Sequence, residues 1–217
     1  MNTLGLETTA LGFVAGFTGK AIEDGLAAQG IHTDFIHLPE GNSRINVKVK
    51  HGDETEINGQ GPVITEEAIN ELFAKLDTLT KEDILVLAGS IPNTLPEDIY
   101  EKILASLESK GIRVVVDATK DLLLNVLKYH PFLIKPNNHE LGEMFGIVCK
   151  TDEDIVHYAK KLQEKGAVNV LISMAGDGAI LITEDGQNIK MGTPKGKVVN
   201  SVGAGDSMVA GFITGYI

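Results

Sequence analysis

From residue 62 onward the chain alternates two patterns, and that alternation most narrows what it can fold into. Ile84-Leu85-Val86-Leu87 is a short apolar run, and 113–117, Phe132-Leu133-Ile134, 168–172 and 179–183 read as further short strands. An apolar run of that length suits a strand buried on both faces of a parallel sheet. Between them lie helical patterns. Ile69, Leu72, Phe73 and Leu76 share one helix face. Thr94 with Glu97 reads as a capping box for a helix that ends at Gly111. Thr151 with Asp154 reads the same way for a helix through Lys165, with Gly166 at its end. The expected class is α/β: a mostly parallel sheet with helices on both faces.

The N-terminal third reads differently. Residues 10–14 predict a strand and 16–29 a helix closed by Gly30. In segment 35–59, Val47 and Val49 alternate with Lys48 and Lys50, the period of a half-exposed strand. Glu54-Thr55-Glu56-Ile57 continues in that style after a His51-Gly52-Asp53 turn, so a small antiparallel β lid is expected over 33–60.

Charge and composition exclude several classes. The formal net charge is −11, which disfavours nucleic acid and anionic membranes as partners. No apolar run approaches the roughly 18–20 residues needed to span a bilayer, and the start lacks the basic region of a signal peptide. The lone Cys149 can form no intramolecular disulfide, which points to a reducing, cytoplasmic setting. It follows Ile147-Val148 with no paired histidine motif and reads as structural. The histidines show no metal-ligand spacing.

In open parallel sheets ligands bind beyond the carboxyl ends of the strands. Polar punctuation falls there: Gly89-Ser90, Asp117 and Lys135-Pro136-Asn137. The sharpest segment is Ser201-Val202-Gly203-Ala204-Gly205-Asp206-Ser207. Glycines let backbone N–H groups approach an anion, and a helix starting there directs its positive end at it. Asp206 reads either as a base for phosphoryl transfer or as an ordinary first-turn helix residue. The segment is neither a Walker loop nor a dinucleotide fingerprint. Read alone, Arg44 is an exposed strand cation, Asn137 and Glu140 a helix start, Ser90 turn chemistry, and Asp117, at a strand end, either a residue touching the metal or phosphate region or a cap for the next element.

Together these segments resemble the PfkB, or ribokinase-like, carbohydrate kinases. Val202-Gly203-Ala204-Gly205-Asp206-Ser207 resembles the family's C-terminal signature. Lys135-Pro136-Asn137-Asn138-His139-Glu140 resembles its Lys-Pro-Asn-x-x-Glu motif, residues 171–179 its nucleotide loop, and Gly89-Ser90-Ile91-Pro92 its Gly-Ser-Leu-Pro segment. Ser43-Arg44-Ile45-Asn46-Val47-Lys48 and residues 54–59 resemble the branch that phosphorylates fructose 1-phosphate, with the tagatose 6-phosphate branch as runner-up.

The resemblance implies roles. Asp206 is the base, and the N–H groups of Gly203, Ala204 and Gly205 form the anion hole. Lys135, Asn137, Ser173, Gly178 and Ser201 bind the nucleotide. Asn137 and Glu140 organise Mg²⁺ with ATP, through water. Arg44 grips the sugar phosphate, and Ser90 lies beside the sugar. The partners implied are ATP and a sugar phosphate, with a homodimer formed through the lid.

Two departures stand out. The family's first-strand aspartate and its Gly-Gly-Lys-Gly-x-Asn segment do not appear, and the sequence stops at Ile217 inside the helix expected from Asp206. The resemblance therefore implies one PfkB-type domain over 1–217, present in part, whose activity as given stays open. Ala175 stands where many members carry glycine; its methyl is expected only at negative φ. A non-catalytic binding module of the same fold is the competing class, and the base with its flanking glycines argues against it.

Overall fold

The computed structural model describes residues 1–51, 53–89, 91–198 and 202–217. The chain divides into two compact units. The first comprises Met1–Thr78, Ile91–Pro96 and Ala210–Ile217; the second comprises Leu79–Ser90 and Glu97–Val209.

In the first unit, β1 (Thr9–Ala10) and β2 (Phe13–Val14) flank helix α1 (Gly16–Ala27) together with β3 (His32–Thr33) and β4 (Ile36–His37). β1 pairs with β3 and β2 with β4, both parallel. The strand expected over 10–14 is thus two short pieces interrupted at Leu11-Gly12. Residues 32–37 run beside these strands, whereas the lid was expected to begin at 33. The hairpin itself is β5 (Asn46–His51) against β6 (Asp53–Asn58), antiparallel, with Val47 opposite Ile57 and Val49 opposite Thr55.

Helix α1 has no side-chain cap of its own, because Ala15 holds the N-cap position. Residues 42 and 43 supply it instead. Ser43 Oγ accepts the Ala15 N–H at 3.0 Å and Asn42 Oδ1 accepts the Phe17 N–H at 3.2 Å. Helix α2 (Glu66–Asp77) is capped by Thr65, whose hydroxyl accepts the Ala68 N–H. Its acidic first turn and Lys75 in its last turn complement the helix dipole. Ile36, Leu38, Ile64, Leu72 and Leu76 are buried here.

The second unit holds β7 (Ile84–Ala88), α3 (Ile99–Leu107), β8 (Arg113–Asp117), α4 (Lys120–Val126), β9 (Leu133–Ile134), α5 (Asn138–Phe145), α6 (Asp152–Glu164), β10 (Asn169–Ser173), β11 (Ala179–Ile182) and β12 (Asn188–Met191). The six strands form one sheet in the order β12-β11-β10-β9-β8-β7. β7 to β10 are parallel; β11 and β12 return antiparallel. The parallel strands follow one another in one direction, and α3, α4, α5 and α6, which connect them, pack against one another in chain order. Val115, Val116, Leu133, Ile134, Val170 and Ile172 form the core of this sheet.

Two helix starts differ from expectation. The box between Thr94 and Glu97 does not form: α3 begins at Ile99, and the Thr94 hydroxyl donates to the Pro62 carbonyl instead. The last helix, α7 (Ala204–Tyr216), begins two residues before Asp206. The box of Thr151 and Asp154 is present at α6 as expected.

Candidate active site

The parallel strands of the second unit deliver polar groups to one edge. β7 ends at Ala88, β8 at Asp117, β9 leads into Lys135, and β10 ends at Ser173. The edge is tied across strands. The Gly89 N–H donates to the Asp117 carbonyl at 3.2 Å, the Lys135 N–H to Val116, and the Ser173 N–H to the Pro136 carbonyl. Asn137 and Ser173 face each other in a parallel bridge beyond the last ladder pair. Pro136 keeps Lys135 extended, which directs the chain off the sheet edge into α5.

Lys135 is the centre of this edge. It is only 8% exposed, and its ammonium lies 3.2 Å from Asp117 Oδ1. The same ammonium packs on the first turn of α7. A β-carbon placed on Gly205 would meet Lys135 Nζ at 3.0 Å and Cε at 3.2 Å, with Asp117 Oδ2 at 3.9 Å. Burial pushes the Asp117 carboxyl above its ordinary range; the Lys135 ammonium pulls it back and the charge of Asp206 pushes it up further. Asp117 therefore faces a cation and an anion, and it does not cap α4, whose N-cap is Thr119.

Gly203 has φ 78°, a left-handed conformation that suits glycine, and it turns the chain into α7. Asp206 occupies the third helical position, and its Oδ2 lies 3.9 Å from where a Gly203 β-carbon would be. Its carboxylate thus reaches back toward the start of the helix. The first N–H groups of any helix lack intrahelical acceptors; here they belong to Ala204, Gly205 and Asp206.

Asn137 and Glu140 form a complete capping box. Asn137 Oδ1 accepts the N–H groups of His139 and Glu140, and Glu140 Oε2 accepts the Asn137 N–H at 2.8 Å. Glu140 Oε1 has no protein partner among the described residues. Among them, no cluster of three or more His, Cys, Asp or Glu side chains is placed to hold a metal directly.

Gly178 has φ 92°, and a β-carbon there would strike the Met191 carbonyl oxygen. Only glycine fits between the turn 175–177 and β12. Ala175 departs from expectation: it sits at φ 47°. The turn holds an alanine in the left-handed region because Gly178 N–H bonds to its carbonyl and Asp177 N–H bonds to Met174.

The structure thus brings together Asp117, Lys135, Gly205 and Asp206, and beside them Asn137 and Ser173. Arg44 belongs to the first unit, where it is exposed at the base of the β5–β6 hairpin. Ser90 and Ser201 lie outside the described residues. One further residue carried no sequence signal. The Tyr100 hydroxyl, from α3, donates to the Ala88 and Gly89 carbonyls at 3.2 and 3.4 Å and so fixes the end of β7. Cys149 shows no activation: burial pushes its thiol up, away from the thiolate.

Comparison with known proteins gives the family of the chain. The pattern of the pfkB family carbohydrate kinases matches residues 1–217. The chain is 52% identical over 206 residues to the 1-phosphofructokinase of Bacillus subtilis, covering 95% of this chain and 67% of that one. It is 39% identical over 214 residues to the D-tagatose-1-phosphate kinase of Bacillus licheniformis, covering 98% and 70%. A crystal structure of a candidate phosphofructokinase from Staphylococcus aureus superposes with a TM-score of 0.89 at 46% identity, covering 99% of this chain and 70% of that one. The chain belongs to the pfkB family of carbohydrate kinases.

Proposed function

We propose that the protein transfers the γ-phosphoryl group of ATP to fructose 1-phosphate, giving fructose 1,6-bisphosphate. The observation that carries this reading is the buried Lys135 ammonium packed on Gly205 at the start of α7, with Asp206 next in the chain. A cation and a helix N-terminus at one point repel each other. An incoming polyphosphate relieves that repulsion.

Asp206 accepts the proton of the attacking sugar hydroxyl. The N–H groups of Gly203, Ala204 and Gly205 meet the charge that develops on the transferred group. Lys135, Asn137, Ser173, Gly178 and Ser201 hold the nucleotide. Arg44 grips the sugar phosphate, and Ser90 lies beside the sugar.

The donor set fits Mg²⁺ held through water. Among the described residues only Oε2 of Glu140 is taken up by the box with Asn137, and Mg²⁺ usually keeps several waters and few carboxylates. When bound, the ion neutralises charge on the phosphate oxygens.

The relative acting on D-tagatose 1-phosphate, at 39% identity, favours a second reading in which that sugar is the acceptor. The test is sugar-dependent ADP release from MgATP, with fructose 1-phosphate, tagatose 1-phosphate and tagatose 6-phosphate side by side. The largest kcat/KM is expected for fructose 1-phosphate. A tagatose phosphate in first place overturns the substrate, and absence of sugar-dependent release overturns the function.

A homodimer through the lid belongs to the same proposal. The register sets Val47, Val49, Thr55 and Ile57 on one face of the hairpin, and Val47, Val49 and Ile57 are exposed large apolar residues. A lone two-stranded ribbon is marginal in water, so a second copy is the natural cover. Light scattering should give a dimer for the wild type and a monomer for Val47→Lys/Ile57→Lys. The single cysteine and the absence, among the described residues, of a helix able to cross a membrane support a cytoplasmic setting.

A further inference from the structure

We infer that Asp117 is a positioning residue for phosphoryl transfer: it holds the Lys135 ammonium in the nook at Gly205 before the nucleotide arrives. The inference rests on the kinase reading above and adds a residue to which that reading gives no role. Three observations carry it. The first is the ion pair at 3.2 Å, made by a lysine whose side chain is 9% exposed. A buried ammonium without a partner would lose its charge or leave the site.

The second is packing. Gly205 lies against both groups, with Nζ and Oδ2 at 3.0 and 3.9 Å from its would-be β-carbon. The pair is thus seated on the helix that carries Asp206, and it is not a surface contact. The third is anchorage. Asp117 ends β8 and its own carbonyl accepts the Gly89 N–H, so its backbone is fixed on the sheet. A lysine has four side-chain torsions, and without Asp117 the positive end of α7 would drive its ammonium away from the phosphate path. With Asp117 the ammonium waits in place, and an arriving phosphate shares it.

The test is a double-mutant cycle in the full chain, with MgATP and fructose 1-phosphate. Lys135→Met should lower kcat/KM for ATP; if it does not, the role given to Lys135 in the proposed function fails, and this inference with it. Asp117→Asn should lower kcat/KM for ATP about 10- to 100-fold, the scale of one charge-assisted hydrogen bond. KM for fructose 1-phosphate should stay within about twofold of wild type, since Asp117 acts on the nucleotide side. In the Lys135→Met background, Asp117→Asn should change kcat/KM for ATP by less than about threefold.

A full Asp117→Asn effect in that background would show that Asp117 does not act through Lys135, and would sink the inference while leaving the kinase reading intact. Thermal melts of all four proteins separate folding from function. If Asp117→Asn alone does not fold, Asp117→Glu keeps the charge and takes its place. It should show the same selective loss toward ATP, and a uniform loss toward both substrates would count against the inference.

Discussion

Gly205 makes room for Lys135. A methyl on Gly205 would come within 3.0 Å of the ammonium and 3.2 Å of Cε, and no backbone atom of a distant segment is among its near contacts. What would have to move is the far end of a flexible side chain. The fold should therefore tolerate the change while the ammonium is displaced.

Gly205→Ala tests this separation. Alanine is a better helix residue than glycine by about 1 kcal/mol, so stability should hold or rise. kcat/KM for ATP should nevertheless fall about tenfold or more, the scale of a charge-assisted contact. Urea denaturation and steady-state kinetics on the same preparation check both. A variant that is stable and fully active would show that the position of Lys135 is not used.

Asp206→Asn keeps the shape of the first turn and removes the proposed base. Turnover is expected to fall roughly 10²- to 10⁴-fold, with ATP affinity near that of wild type. Single-turnover kinetics with ATP and fructose 1-phosphate make the measurement. Near-normal turnover would take Asp206 out of the mechanism.

Parts of this site were legible in the sequence, for identifiable reasons. β8 lies at 113–117 as expected, because Val114-Val115-Val116 is an apolar, β-branched run between Arg113 and Asp117 that follows the helix end at Gly111. α6 starts where Thr151 and Asp154 place it, because a capping box is a local interaction. The same motif misled at Thr94, whose hydroxyl serves the distant Pro62 carbonyl. β12 passed unnoticed because all four of its residues are exposed, leaving no buried face to read.

The pairing of Lys135 with Asp117 was out of reach for another reason. It depends on β8 and β9 being neighbours, a fact of topology that local pattern does not carry. The rule about strand ends indicated the right edge of the sheet without the contact. Tyr100 is harder still. It reads as one more helix residue, and only the fold brings its hydroxyl to the Ala88 and Gly89 carbonyls.

Arg44→Met is expected to raise KM for fructose 1-phosphate with little effect on ATP. The cost should be about 1.5–3 kcal/mol, as for a lost hydrogen bond to a charged group. The motivation is an exposed cation at the base of the hairpin, in the segment that resembles fructose 1-phosphate kinases. Equal losses toward both substrates would assign Arg44 to folding or assembly instead.

Asp117 also makes a pH prediction. Its carboxyl is raised in the folded state by burial, against Lys135 and together with Asp206, and Tyr100 on α3 senses its charge. The folded protein therefore binds this proton more tightly than the unfolded chain does. Between the ordinary aspartate value of about 3.9 and the raised value, stability falls as pH rises, and above that window the penalty is constant. The Tm difference, wild type minus Asp117→Asn, should decline from about pH 4 upward and then level off. A difference that grows with pH would reverse the assigned direction.

Ala175 tests the turn that follows β10. It is held at φ 47°, where a non-glycine residue costs about 1–2 kcal/mol. Glycine removes that strain but adds freedom to the unfolded chain, a loss of about 0.4–1 kcal/mol. Ala175→Gly should therefore raise stability by about 0.5–1 kcal/mol, measured as a shift in the urea midpoint at constant slope. Ala175→Val should lower it, because a β-branched residue is a true outlier at positive φ. Gly178, at φ 92° with the Met191 carbonyl against its would-be β-carbon, has no such latitude. Gly178→Ala should cost about 2–4 kcal/mol from strain and overpacking together. If instead Ala175→Gly destabilises by the amount of an ordinary helical Ala→Gly change, the alanine is not strained in solution, and the turn relaxes to negative φ as the sequence alone suggested.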